Sequence, residues 1–164
     1  MKKIKIGLFV AVLAVIGALF VSHSCTKDPC EDVVCQNGGT CADGKCNCAA
    51  GYEGTNCETE WRTKLIGTFN GTENCGTAGS LSITVTKSST EVKRVIMDIG
   101  NGINFYADMS TSTSGAMPTQ TIASGAASIS GSVSISGTQM TATYTITYTD
   151  GSPTDNCSYT GTKQ

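Results

Sequence analysis

Nine of the 164 residues are cysteines, and the chain holds a single histidine, His23. A thiol can attack a substrate, ligate a metal or pair with another thiol. The first role needs a base beside it, commonly an imidazole. His23 falls in a segment read below as removed, so Ser-His and Cys-His nucleophile pairs and histidine metal sites are excluded. The thirteen acidic residues are scattered, with no close pair on a recognisable turn. No glycine run follows a strand and opens a helix, so no phosphate cradle is expected. Catalysis is therefore not expected. So many cysteines in a short chain point to pairing in an oxidising compartment. Their odd number requires at least one cysteine to do something else.

Cys25 is the cysteine that stands apart. Before it lie Lys2, Lys3 and Lys5, then an uncharged apolar run from Ile6 to Val21. At 1.5 Å per residue this run spans about 24 Å, short of the roughly 30 Å bilayer core, and reads as a secretory signal over residues 1–24. The following Val21-Ser22-His23-Ser24-Cys25 resembles a bacterial lipoprotein box, with Ser22 where leucine is usual. That resemblance implies cleavage before Cys25, acylation of Cys25 (palmitate among the chains), and a tether over 25–29. It also implies a Gram-negative outer membrane, and Lys27-Asp28 looks like a signal for the outer face. Cleavage by an ordinary signal peptidase, leaving Cys25 as a free thiol on a secreted chain, is the other reading. Loss of the three leader lysines leaves eight basic against thirteen acidic residues. Such an acidic chain is not expected to bind nucleic acid.

Six further cysteines lie within residues 30–58, spaced C-x4-C-x5-C-x4-C-x-C-x8-C. So short a stretch cannot bury enough apolar surface to fold unaided, so crosslinks must stabilise it. Spacing alone leaves fifteen pairings open. The runs Cys35-Gln36-Asn37-Gly38-Gly39-Thr40-Cys41 and Cys46-Asn47-Cys48-Ala49-Ala50-Gly51-Tyr52-Glu53-Gly54-Thr55-Asn56-Cys57 closely resemble an EGF-like domain. The resemblance implies bonds Cys30–Cys41, Cys35–Cys46 and Cys48–Cys57. Calcium-binding members use carboxylates around the first and third cysteines. The candidates here are Asp28 and Asp43, but Pro29 stands where the family has Glu, and the Cys41–Cys46 loop is too short for the usual aromatic. Calcium needs six to eight oxygens, so no cofactor is expected.

From residue 62 to 164 the composition turns to Ser, Thr, Gly, Ile and Val. Runs such as Leu81–Thr86, Ile129–Ser136 and Met140–Thr149 alternate with period two, the mark of strands buried on one face. Shorter runs bring the count to about eight, with connections too short for crossovers. The expected fold is mainly β: the small disulfide module, then an antiparallel up-and-down β-barrel, with a β-sandwich as the alternative. In an even-stranded barrel the first and last strands are neighbours, so a Cys75–Cys157 bridge is the simplest closure. Leu65-Ile66-Gly67-Thr68-Phe69 faintly resembles the opening strand of lipocalin-like barrels. The inward set includes Ile83, Val85, Ile129, Val133, Ile135, Ala142, Tyr144, Ile146 and Tyr148. A packed interior is expected, with Tyr144 and Tyr148 the residues to present hydroxyls to any ligand. Ser110–Pro118 reads as a mobile loop.

Together these features predict a non-enzymatic lipoprotein, anchored to a membrane, with an EGF-like interaction module. Its role would be binding or spacing at the cell surface, with a protein or glycan partner. The alternative is a lipocalin-like carrier of a small apolar ligand.

Overall fold

The structure is a computed structural model that describes residues 27–164; the expected signal segment and Cys25, the expected lipidation site, lie outside the described residues. In the module, β1 (Thr40–Ala42) and β2 (Lys45–Asn47) form a hairpin, and β3 (Tyr52–Glu53) pairs with β4 (Thr59–Glu60). The first hairpin turns on Asp43-Gly44, both at positive φ (50° and 77°). A two-residue turn whose twist matches the strands needs that conformation. Three disulfides link Cys30 to Cys41, Cys35 to Cys46 and Cys48 to Cys57. They replace the apolar core that so short a segment lacks. Gly39 is required by this stapling, because a Cβ there would lie 2.8 Å from Cys57 Sγ.

A 3-10 turn (Trp61–Leu65) joins the module to eight strands: β5 (Gly67–Asn74), β6 (Ala78–Lys87), β7 (Arg94–Asp98), β8 (Asn104–Met109), β9 (Ser114–Ile122), β10 (Ala127–Ser136), β11 (Gln139–Tyr148) and β12 (Asp155–Lys163). Each pairs antiparallel with its successor, and β12 returns to β5 from Ser158↔Asn74 to Lys163↔Phe69. This is a closed up-and-down barrel. Cys75 and Cys157 are bonded across the closing seam, near the end of β5 and the start of β12.

Alternation along the strands sends one set of side chains inward. Of the inward set read from the sequence, Ile83, Val85, Ile129, Val133, Ile135, Ala142 and Tyr144 are buried, and Ile146 and Tyr148 half-buried. All of these except Tyr148 meet Phe69, Val95, Met97, Phe105, Met109, Met117, Met140 and Tyr159 in one core. Where a neighbouring backbone comes too close for a side chain, the inward position is glycine: a Cβ on Gly131 would lie 2.1 Å from Thr143 O, and one on Gly71 2.1 Å from Thr160 O. Outward positions are largely Ser and Thr, and some bond across strands, as Ser134 to Thr141 (2.8 Å) and Ser132 to Thr143 (3.2 Å).

One segment departs from the sequence reading. Of the expected loop Ser110–Pro118, the half from Ser114 onward is the start of β9. Its small residues pack tightly: Gly115 is buried and faces Met109, its register partner, while Met117 points into the core. Ser and Thr here signal an outer strand face rather than a linker.

Candidate functional site

The two ends of the barrel differ in chemistry. The end nearest the module is plugged. Leu65 is fully buried beneath the 3-10 turn, and Trp61 packs against the core. Arg62, 8% exposed, donates from Nη1 to the carbonyls of Ser88 (2.8 Å), Glu91 (2.7 Å) and Arg94 (3.2 Å) in and beside the β6–β7 loop. Its Nε donates to Glu60 Oε2 at 2.9 Å, and Lys87 Nζ reaches the same oxygen at 2.8 Å. These cations, Arg62 first, hold the Glu60 carboxyl down at about 2. Lys64 reaches Glu53 at 2.8 Å and Ser112 Oγ at 3.1 Å, Trp61 N–H donates to Gly51 O at 2.9 Å, and Gly51 abuts Val92 and Lys93. The module is thus clamped to the plugged end by main-chain and ionic contacts.

The far end is uncovered. Its four loops, 75–77, 99–103, 123–126 and 149–154, contribute no buried residue. Half-buried Leu81, Ile99, Ile122 and Ile146 ring the opening at inward positions and pack on the core below. Glu73 shares the inward parity of Phe69 and Gly71. Its Oε1 accepts a hydrogen bond from the Tyr144 hydroxyl. Burial pushes the Glu73 carboxyl pKa up. Tyr148 Oη donates to Asp155 Oδ2 at 2.7 Å, and this bond raises the phenol pKa. Tyr144 and Tyr148, the two tyrosines singled out in the sequence, therefore sit at the same end, each engaged by a carboxylate. Glu73 was not singled out there, although its position two residues after Gly71 on an alternating strand already marks it as inward.

The wall of this end is irregular at β8–β9. Those strands pair only at Asp108↔Ala116 and Met109↔Gly115. Beyond that, β9 carries an extra residue against β10, where Met117 faces Gly131 and Gln120 faces Ile129. The bulge holds Pro118, which has no N–H to donate. Gln120 fills the gap: its Oε1 accepts from Tyr106 N–H and its Nε2 donates to Tyr106 O, both at 2.8 Å. A side-chain amide thus stands in for the missing strand backbone.

The calcium candidates lie on neighbouring segments, with Gly44 against Pro29; Asp28 Oδ1 accepts from Cys30 N–H at 2.8 Å, and Asp43 sits in the β1–β2 turn at positive φ. Among the described residues no three His, Cys, Asp or Glu side chains converge on a metal position. On the outer face of β10–β12 lies an open groove of about 600 Å³ lined by neutral side chains, among them Ser130, Ser132, Thr143, Thr145 and Asn156. A second groove, about 650 Å³, crosses the module beside Val34, which is 76% exposed.

No family model matches the chain. Among solved structures, the barrel is similar to EF1p2_mFAP2b bound to DFHBI (TM-score 0.45, 15% identity, 62% of this chain and 94% of that one). It is also similar to the redesigned β-barrel b11L5F_LGL (0.46, 18%, 62% and 93%). A third is the redesigned β-barrel mFAP1 bound to DFHBI (0.45, 20%, 64% and 100%).

Proposed function

We propose that the protein is a non-catalytic surface lipoprotein, anchored through Cys25, that carries an EGF-like module on a barrel serving as a rigid base. The observation that carries this reading is the bonding of the module: first cysteine to third, second to fourth, fifth to sixth. That is the pattern an EGF-like module implies, and such modules are interaction scaffolds. Two further features support it. The barrel interior is occupied by its own side chains, and Arg62 with Glu60 and Lys64 fixes the module to the plugged end. The partner is a protein or glycan at the cell surface, and the outer membrane of a Gram-negative cell is the proposed site.

Metabolic labelling with a fatty acid tests the anchor. Label on the wild-type chain, lost in Cys25→Ala, is the expected result; an unlabelled wild type overturns it in favour of a plainly secreted protein. Carriage of an apolar ligand inside the barrel has less support, because Met97, Met109, Met117 and Met140 fill the space between the strands. Native mass spectrometry of protein purified from membranes is expected to find no co-purified apolar ligand.

A further inference from the structure

The uncovered end of the barrel joins an apolar opening to a carboxylate that has no cation. Leu81, Ile99, Ile122 and Ile146 keep part of their aliphatic surface exposed around the mouth, and the loops there contribute no buried residue. Glu73 points inward from the wall of that mouth. Its one hydrogen-bond partner is the Tyr144 hydroxyl, and none of the ion pairs among the described residues includes it. A partly desolvated carboxylate without a counter-charge is costly, and an opposite charge within a few ångströms relieves that cost.

The rest of the barrel sharpens the contrast. Every lysine and arginine from residue 62 onward (Arg62, Lys64, Lys87, Lys93, Arg94 and Lys163) lies on the plugged end or the strand halves nearest it. At the open end the other acids, Asp98, Asp150 and Asp155, already accept bonds from Gly100 N–H, Ser152 N–H and the Tyr148 hydroxyl. Glu73 faces inward beside aliphatic side chains, as does Asp155, which lies opposite Ile146 and holds the Tyr148 hydroxyl. An occupant of matching chemistry carries one positive nitrogen and a short aliphatic body.

We propose that the open mouth binds a small organic ammonium ion with an aliphatic tail. The ammonium pairs with Glu73 while the tail covers Leu81, Ile99, Ile122 and Ile146. The Tyr144 hydroxyl holds the carboxylate in place. The packed core below makes the site shallow, so the ligand lies in the mouth rather than deep in the barrel. This is a further activity beyond the anchored-scaffold reading and stands or falls without it.

Hexylammonium, hexan-1-ol and hexanoate share one tail and differ in charge. Each is titrated into the full chain in lipid nanodiscs, with binding read from the isoleucine methyl resonances of residues 99, 122 and 146, which separates the site from partition into lipid. The expected result is hexylammonium binding about tenfold tighter than hexan-1-ol, hexanoate weakest, and the preference abolished in Glu73→Gln. An unchanged thermal midpoint of that near-isosteric variant shows that the fold is retained; Ile99→Lys, which places a competing ammonium at the rim, is expected to abolish hexylammonium binding as well. Equal binding of the three probes, no shift of those methyls with any of them, a preference for hexanoate, or a cation preference that survives Glu73→Gln each overturns the proposal. Fatty-acid labelling of Cys25 is unaffected by any of these outcomes.

Discussion

Arg62 shows how one side chain decides the join between module and barrel. Its guanidinium donates to three carbonyls of one loop, two of which (Glu91 and Arg94) also accept a backbone N–H, and it pairs with Glu60. The planar fork allows this many directed bonds at once, which an ammonium does not. Arg62→Leu leaves the Ser88 carbonyl without its side-chain donor and leaves Glu60 with Lys87 as its one cation among the described residues. Losing charge-assisted hydrogen bonds of this kind costs about 1–3 kcal/mol, and urea unfolding is expected to show a loss of that size, with Arg62→Lys recovering only part. Glu60 adds a pH signature. Its folded pKa, about 2, lies below the ordinary 4.5, so the ionised form stabilises the fold above about pH 4.5. That contribution fades as pH falls from 4.5 towards 2. Asp108, paired with Arg94, and Glu53, paired with Lys64, are shifted in the same direction, whereas Glu73 is shifted up and opposes them. The urea midpoint of the wild type is therefore expected to drop through this window. In Glu60→Gln the drop is expected to be smaller; an equal drop in both proteins removes Glu60 from the account.

At the scale of elements, the strands were legible because alternation of apolar and hydroxyl residues is a property of the chain itself. Met140-Thr-Ala142-Thr-Tyr144-Thr-Ile146 states which face is buried, and β11 follows it residue by residue. The loop read into Ser110–Pro118 shows where such reading stops: Ser114-Gly115-Ala116 has too little apolar contrast to reveal that Gly115 faces the core. The plug was equally hidden, since Trp61-Arg62-Thr63-Lys64-Leu65 shows no sign of which loop its arginine will meet. So was the Gln120 splint, whose partner Tyr106 lies fourteen residues away on another strand. That splint makes the β8–β9 pairing depend on a side chain. Gln120→Leu removes both bonds and exposes Tyr106 N–H and C=O at a strand edge. A cost of about 1–3 kcal/mol is expected, together with faster hydrogen exchange at the Tyr106 amide. Exchange at Met109, which donates to Lys93 O at 2.9 Å, is expected to change little. Equal acceleration at both sites would mean that the variant loosens the whole barrel rather than the seam.

For the whole molecule, closure is the costly step, because β5 and β12 lie at opposite ends of the barrel sequence. Consecutive strands meet through short turns, but Phe69 and Lys163 must find each other across the full domain. Several contacts fasten that seam. Near the plugged end, Gln164 N–H donates to Thr68 O at 3.0 Å, and Lys163 Nζ donates to Lys64 O at 3.3 Å. Within the barrel, Tyr159 Oη donates to Phe69 O at 2.8 Å. Near the open end is the Cys75–Cys157 disulfide, which closes a loop with a sequence separation of 82. In the chain-entropy model a bridge over so long a loop removes about 4–5 kcal/mol of freedom from the unfolded chain. The module bridges close loops of separation 9 to 11 and restrict only their own segment. Cys75→Ala with Cys157→Ala is therefore expected to lower barrel stability by up to about 4–5 kcal/mol, read from the exchange-limited unfolding of buried β12 amides in urea. Cys48→Ala with Cys57→Ala is expected to disorder the module and weaken its clamp while leaving most of the β12 protection in place. If the two double variants destabilise β12 equally, the barrel is not closed by its own bridge but supported through the module.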